Sequence, residues 1–193
     1  MPRRKTNFAQ GHYYHIYNRG AGRERIFFNE ANYLYCLKLL ERNLMRYSIA
    51  VIAYCLMPNH YHFLLRQDGE KPLSKFINAI FNAYAQAVNL QQGRSGTLFE
   101  GRFRDVWVDK EGYLLHLCRY IHANPVKAGL VSSLLDWPYS NYHEWIGERP
   151  GTLVDLDFVD TYFLQRDSYT EFVLDYLRGE DDLPKDIQQY LFE

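Results

Sequence analysis

The sequence predicts an α+β fold whose strands and helices form one mixed layer structure, followed by a helical C-terminal extension. Three observations carry the prediction. Aromatic and β-branched runs interleave with stretches that repeat apolar residues every three or four positions. Two of the strand-like runs are separated only by a short turn containing Pro58 and Asn59, which makes them a hairpin. The charge reverses near residue 150, marking where the extension begins. With 47% hydrophobic and 17% aromatic residues over 193 positions, the chain has enough apolar side chains to bury a real core.

The elements follow in order. Residues 13–18 (Tyr-Tyr-His-Ile-Tyr-Asn) read as a first strand, closed by Arg19, Gly20 and a turn at Gly22. Asn29 is the expected N-cap of a helix over about 30–46, with Leu34, Leu37, Leu40 and Leu44 at helical spacing. Residues 48–56 form a continuous apolar strand, and residues 60–66 return beside it after the Met57-Pro58-Asn59 turn. Pro72 opens a long amphipathic helix to about Gln91, with Leu73, Phe76, Ile77, Ile80, Phe81, Tyr84 and Val88 on one stripe. A glycine-containing loop, 93–101, leads to a fourth strand at 103–108. The next helix, 111–124, is predicted to stop at Pro125, because the residue before a proline disfavours helical backbone. This β-α-β-β-α-β-α order is that of a ferredoxin-like split βαβ sheet, helices packed on one face and a further helix after the last strand. Residues 130–146, with Trp137, Tyr142 and Trp145, are expected to cover an edge of the core.

Net charge conceals a division. Residues 1–150 hold 19 Lys+Arg against 12 Asp+Glu, net +7, whereas residues 151–193 hold 3 against 11, net −8. A basic body suits a polyanion, since each phosphate neutralised releases counterions; charge alone reads equally as scattered surface residues. Residues 1–148 are therefore the expected functional domain and 149–193 an acidic, mostly helical extension. That extension either competes with a polyanion for the basic surface or packs as structural helices through Phe158, Tyr162, Phe163, Phe172, Tyr176 and Leu177. No apolar run approaches the roughly 20 residues of a membrane span, and no apolar stretch follows the basic start, so a cytoplasmic protein is expected. Cys36, Cys55 and Cys118 lie far apart in apolar runs, as reduced buried thiols do.

The chemistry centres on two places. His60 and His62 sit one residue apart on a strand, so both imidazoles project from one face while Tyr61 and Phe63 take the other. Such a pair can share a metal, and it also occurs as structural histidines. On the last helix, steps of about 100° make Leu114, Leu117, Cys118 and Ile121 the buried stripe and put Tyr113, His116, Tyr120 and Asn124 on a flank beside it. Tyr120 and Asn124 are then i,i+4 neighbours. One reading is a packed ring and a helix-capping amide. The other is a nucleophile: a phenol of pKa about 10 attacks phosphate poorly unless a metal polarises the phosphoryl oxygens, and two imidazoles with one amide oxygen would hold such an ion.

The residues Met57-Pro58-Asn59-His60-Tyr61-His62-Phe63-Leu64-Leu65, followed by Arg119-Tyr120-Ile121-His122-Ala123-Asn124-Pro125-Val126-Lys127-Ala128-Gly129-Leu130-Val131, resemble the single-tyrosine HUH transposases, and within them the REP-associated tyrosine transposase branch. Tyr14-His15-Ile16-Tyr17-Asn18-Arg19-Gly20 and Phe99-Glu100-Gly101-Arg102-Phe103 are similar to that family as well, so the likeness spans residues 11 to about 145. The resemblance implies a ferredoxin-like fold, single-stranded DNA hairpins as substrate, and metal-dependent cleavage through a 5′-phosphotyrosine. It makes His60, His62 and Asn124 the metal ligands and Tyr120 the nucleophile. Imidazole ligands alone favour Zn, Ni, Cu or Fe, whereas the family implies Mg²⁺ or Mn²⁺, which is the expectation taken here. A homodimer, with a site completed in cis or by a second subunit, is compatible with the sequence. Two rival readings are a DNA-hairpin binding protein that keeps the fold without catalysis, and a nicking enzyme of the replication-initiator or relaxase type.

DNA contacts are expected at Arg94, Arg102 and Arg104, which flank the loop and strand leading to the catalytic helix, where the same side chains serve equally in surface ion pairs. Arg3, Arg4 and Lys5 read as a solvated tail or as an arm reaching a groove. His116, one turn before Tyr120, either orients the phenol or simply packs. His12, His15, His122 and His143 receive no role.

Overall fold

The computed structural model describes residues 6–184 and 187. Four strands, β1 (Tyr13–Arg19), β2 (Ile49–Met57), β3 (His60–Gln67) and β4 (Arg104–Val108), form one sheet of order β2-β3-β1-β4. Every neighbouring pair is antiparallel. Connectivity explains the order. Only Pro58 and Asn59 separate β2 from β3, so these two pair directly, Met57 opposite His60. Helices α1 (Glu30–Tyr47) and α2 (Leu73–Gln91) are long enough to carry the chain across one strand position, and each gap they leave is filled by a strand of the other unit.

Local chemistry sets the boundaries. Asn29 caps α1 as expected, its side-chain oxygen accepting from the Asn32 amide at 3.1 Å, and Ser48 ends the helix with left-handed backbone. Period-two alternation along the strands then sorts side chains into two cores. Ile16, Phe63 and Leu65 face α1 and α2, meeting Leu40, Phe76 and Ile80. Ile52, Ala53, Cys55 and Leu64 face the other way, where helix α3 (Glu111–Lys127) presents Leu117, Cys118 and Ile121, the stripe expected from its spacing. The two crossover helices thus share one face, and the further helix covers the opposite one. The three cysteines are free and buried.

One boundary differs from expectation. Helix α3 does not stop at Asn124 but runs through Pro125 to Lys127. Proline removes a single donor, the one that would reach the Ile121 carbonyl, and its fixed φ is itself helical. The turn is held from both ends: the Asn124 side chain donates to the Tyr120 carbonyl at 2.7 Å, and the Ala128 and Leu130 amides return to Asn124 and Pro125 at 2.9 and 3.0 Å. Pro125 is buried, and Lys127 Nζ sits 3.8 Å from the centre of the Tyr176 ring. Packing outweighs the local bias.

After α3 the chain covers the open edge of β2. The Leu56 amide donates to the Tyr139 carbonyl at 2.9 Å, and α4 (Tyr142–Trp145) follows with Trp145 buried, its Nε1 donating to the Ile52 carbonyl at 2.9 Å. Helices α5 (Leu156–Tyr162) and α6 (Arg166–Arg178) then bury Phe158, Val159, Phe163, Tyr169, Val173 and Tyr176 in the core under α3. Beside them Arg119 is wholly buried: its guanidinium lies 4.3 Å from the Phe172 ring centre and reaches Asp181 Oδ2 at 2.6 Å. Among the described residues, no helix is long and apolar enough to cross a membrane.

Candidate active site

His60 and His62 lie on β3 on the side covered by α3, while Tyr61 and Phe63 enter the other core. The sheet register extends the row: His62 stands opposite Tyr17 of β1, and Tyr17 opposite Arg104 of β4. Helix α3 lays Tyr120 across this row. The Tyr120 ring centre is 5.5 Å from that of His62, nearly perpendicular, and 6.4 Å from His15. His60 and His62 are 5.1 Å apart, also edge to face. Asn124, one turn beyond Tyr120, hydrogen-bonds the His60 ring through its amide. All four residues singled out in the sequence therefore meet in one chain, on one side of one sheet.

The surroundings hold the two imidazoles. His60 Nδ1 is 2.7 Å from Asn59 Oδ1. The hairpin turn is itself gripped: the Gly20 amide donates to the Asn59 carbonyl at 2.8 Å, and the Ile26 and Phe27 amides to the Pro58 carbonyl at 2.8 and 3.0 Å. Gly20 is required there, because a Cβ would lie 2.0 Å from the Glu24 carbonyl oxygen. On the other side, His15 Nε2 meets His62 Nδ1 at 3.0 Å, both residues fully buried. Burial pushes the His60 pKa down to about 4, with the Asn124 contact opposing, and pushes His62 well down, helped by His15 and His60. Neutral rings keep their lone pairs, which is the state a metal requires. Nδ1 of each ring is engaged by a neighbour, which fixes the ring's orientation. The donor set fits one hard-to-borderline divalent ion: two imidazoles and an amide oxygen. Among the described residues, no group of three or more His, Cys, Asp or Glu side chains is placed to hold a metal ion.

The expected DNA contacts divide. Arg102 and Arg104 line a cavity of about 20 Å³ with Tyr17, Arg19 and Glu100, at the end of the histidine row. Arg19 is ion-paired with Glu100. Arg94 stands half-buried just beyond α2 and does not line that cavity. Arg3, Arg4 and Lys5 lie outside the described residues. His116 turns toward the extension, its ring 5.5 Å from Phe172. Two residues passed over in the sequence are drawn in. His15 supports His62, and only strand pairing across β1 and β3 could have shown it, since they are 47 positions apart. His122 faces inward on α3, its Nδ1 2.5 Å from the Tyr169 hydroxyl and its Nε2 2.9 Å from Asn141 Oδ1.

Residues 8–124 match the sequence model of the family described as Transposase IS200 like. The chain belongs to that family. It is 29% identical over 107 residues to a protein of Haemophilus influenzae named as a putative REP-associated tyrosine transposase, covering 50% of this chain and 61% of the relative. It is 27% identical over 92 residues to the REP-associated tyrosine transposase of Escherichia coli, covering 47% and 53%. The matches thus span between half and two thirds of those relatives' lengths. Among solved structures, a REP-associated tyrosine transposase bound to a REP hairpin superposes with a TM-score of 0.65 at 18% identity, over 80% of this chain and 94% of that one, which establishes the shared fold.

Proposed function

We propose that this transposase-family chain cleaves and rejoins single-stranded DNA beside a hairpin, with Tyr120 as nucleophile. The observation that carries the reading is the Tyr120 ring standing over His62 with His60 and Asn124 alongside, so that phenol and donor set share one small site. Tyr120 Oη attacks the scissile phosphorus, an O–P bond forms and the bond to the 3′ oxygen breaks, leaving a 5′-phosphotyrosine and a free 3′-hydroxyl. The phenolic proton passes to water and the leaving oxygen takes one up. His60, His62 and Asn124 would hold a Mg²⁺ or Mn²⁺, which would supply charge neutralisation at the phosphate. Arg102 and Arg104 position the strand, and α3 fixes the attack line. Because the phosphodiester energy is retained in the tyrosine link, a strand end reverses the step without ATP, and the catalytic task is orientation and electrostatics. The solved structure of a REP-associated tyrosine transposase bound to a REP hairpin supports a DNA hairpin as substrate.

Tyr120→Phe, incubated with labelled single-stranded hairpin and Mn²⁺, should lose the denaturation-resistant adduct while hairpin affinity stays within about threefold, since only the reacting oxygen is removed. An adduct formed by the Phe variant would exclude Tyr120. Hairpin binding without any adduct in the parent protein would leave the binding-only reading.

A further inference from the structure

On the far side of the sheet from Tyr120 lies a groove of about 400 Å³ that the cleavage chemistry does not use. Its floor is aromatic: Tyr61 and Phe81 stack with ring centres 4.0 Å apart and planes 4° from parallel, and Phe99 stands edge-on to both, 6.0 and 5.4 Å away. Its rim carries Asn78 and Asn82, exposed and i,i+4 on α2. No acidic side chain lines it, and Arg102 does.

The opposite wall is built, not loose. The Ala21 amide donates to the Leu98 carbonyl at 3.0 Å, the Glu100 amide to the Arg19 carbonyl at 2.9 Å, and Asn18 Nδ2 to the Gly101 carbonyl at 3.2 Å. These bonds pin the 96–103 loop to the end of β1, so the groove exists before anything enters it. Its size falls within the range of ligand pockets, roughly 300 to 1,000 Å³.

Arg102 links this groove to the catalytic side. It lines both the groove and the small cavity with Tyr17 and Arg104, and Tyr17 is the strand partner of His62. A DNA strand with a phosphate at Arg102 has its backbone at the sheet end, from which one base can turn back over the rim. The groove then offers what an unpaired base needs: an apolar aromatic wall for its face and paired amide donors and acceptors for its edge. Side-chain amides match adenine best, donating to N7 and accepting from N6.

From this we infer that the groove is a pocket for an unpaired adenine of the substrate strand, held against Phe99 and read by Asn78 and Asn82. The inference rests on the proposed function, and its test separates the two. Fluorescence anisotropy with the full chain would compare ten-nucleotide dA and dT single strands. The parent protein should bind dA about tenfold tighter, the discrimination a bidentate amide contact supplies. The Asn78→Ala/Asn82→Ala double variant, which alters only exposed positions, should erase that preference and leave dT affinity within about twofold. Phe99→Ala should weaken both strands by about tenfold through lost stacking. Equal binding of dA and dT by the parent, or an unchanged preference in the double variant, would overturn the adenine pocket. The hairpin–Tyr120 adduct, assayed on the same proteins, reports on the function separately: its presence with no base preference discards the groove alone.

Discussion

Asn141 is the residue through which α3, the sheet edge and the C-terminal segment are joined. It is fully buried, and its side chain makes four hydrogen bonds among the described residues. Its Oδ1 accepts from the Tyr54 amide at 2.7 Å and from His122 Nε2 at 2.9 Å, and its Nδ2 donates to the carbonyls of Ile52 at 2.9 Å and Leu153 at 3.1 Å. In Asn141→Ala the Ile52 carbonyl keeps a donor in Trp145 Nε1. The Tyr54 and His122 N–H groups and the Leu153 carbonyl lose theirs. At about 1–3 kcal/mol for each buried polar group left unsatisfied, the loss is on the order of 4 kcal/mol. For a chain of this length that corresponds to a fall of about 8–16 °C in melting temperature. Asn141→Asp keeps the acceptors but sets a carboxylate oxygen against two carbonyls, so it should be at least as harmful. Urea unfolding of both variants measures the loss, and a double-mutant cycle with His122→Leu should give a coupling above about 1 kcal/mol. A loss below 1 kcal/mol in Asn141→Ala would refute the reasoning, because it would mean that water or relaxation replaces the clamp.

Three further outcomes follow from the same contacts. His15→Leu should weaken Mn²⁺ binding, read by calorimetry, by about 10- to 100-fold, because His62 loses the partner that fixes its ring, and His15→Gln should restore part of it; equal affinities would remove His15 from the site. His122 is buried neutral with its pKa pushed down to about 4 from 6.5, so the unfolded chain takes up the proton first. Stability should hold above about pH 7 and fall by about 3 kcal/mol as pH drops through 6.5 toward 4, His60 and His62 acting in the same sense, and a flat melting temperature over that window would contradict it. Truncation after Pro150 removes Phe158, Val159, Tyr169 and Val173 from the core beneath α3, each worth about 2 kcal/mol of burial, and should give an aggregating or strongly destabilised protein; a well-folded truncation with a parent-like melt would show that the extension is dispensable.

The sequence by itself determined the element order and which candidate residues share a face. Period-two alternation puts His60 and His62 on one face whatever the strand pairs with, and helical spacing puts Tyr120 and Asn124 together wherever the helix docks. Those are local consequences of backbone geometry. What needed tertiary structure was everything that depends on neighbours distant in sequence. The His15–His62 contact exists only because β1 pairs with β3 in one register, and His122 becomes a clamp only when the Tyr169 and Asn141 segments fold against α3. The continuation of α3 through Pro125 has the same cause, since a local steric bias is small beside the burial of Pro125 and the docking of Lys127 on Tyr176. The acidic extension had two readings in the sequence, because charge and apolar content point in opposite directions there. Packing gives its aromatic face to the core and leaves most of its carboxylates at the surface, while Asp181 reaches in to the buried Arg119.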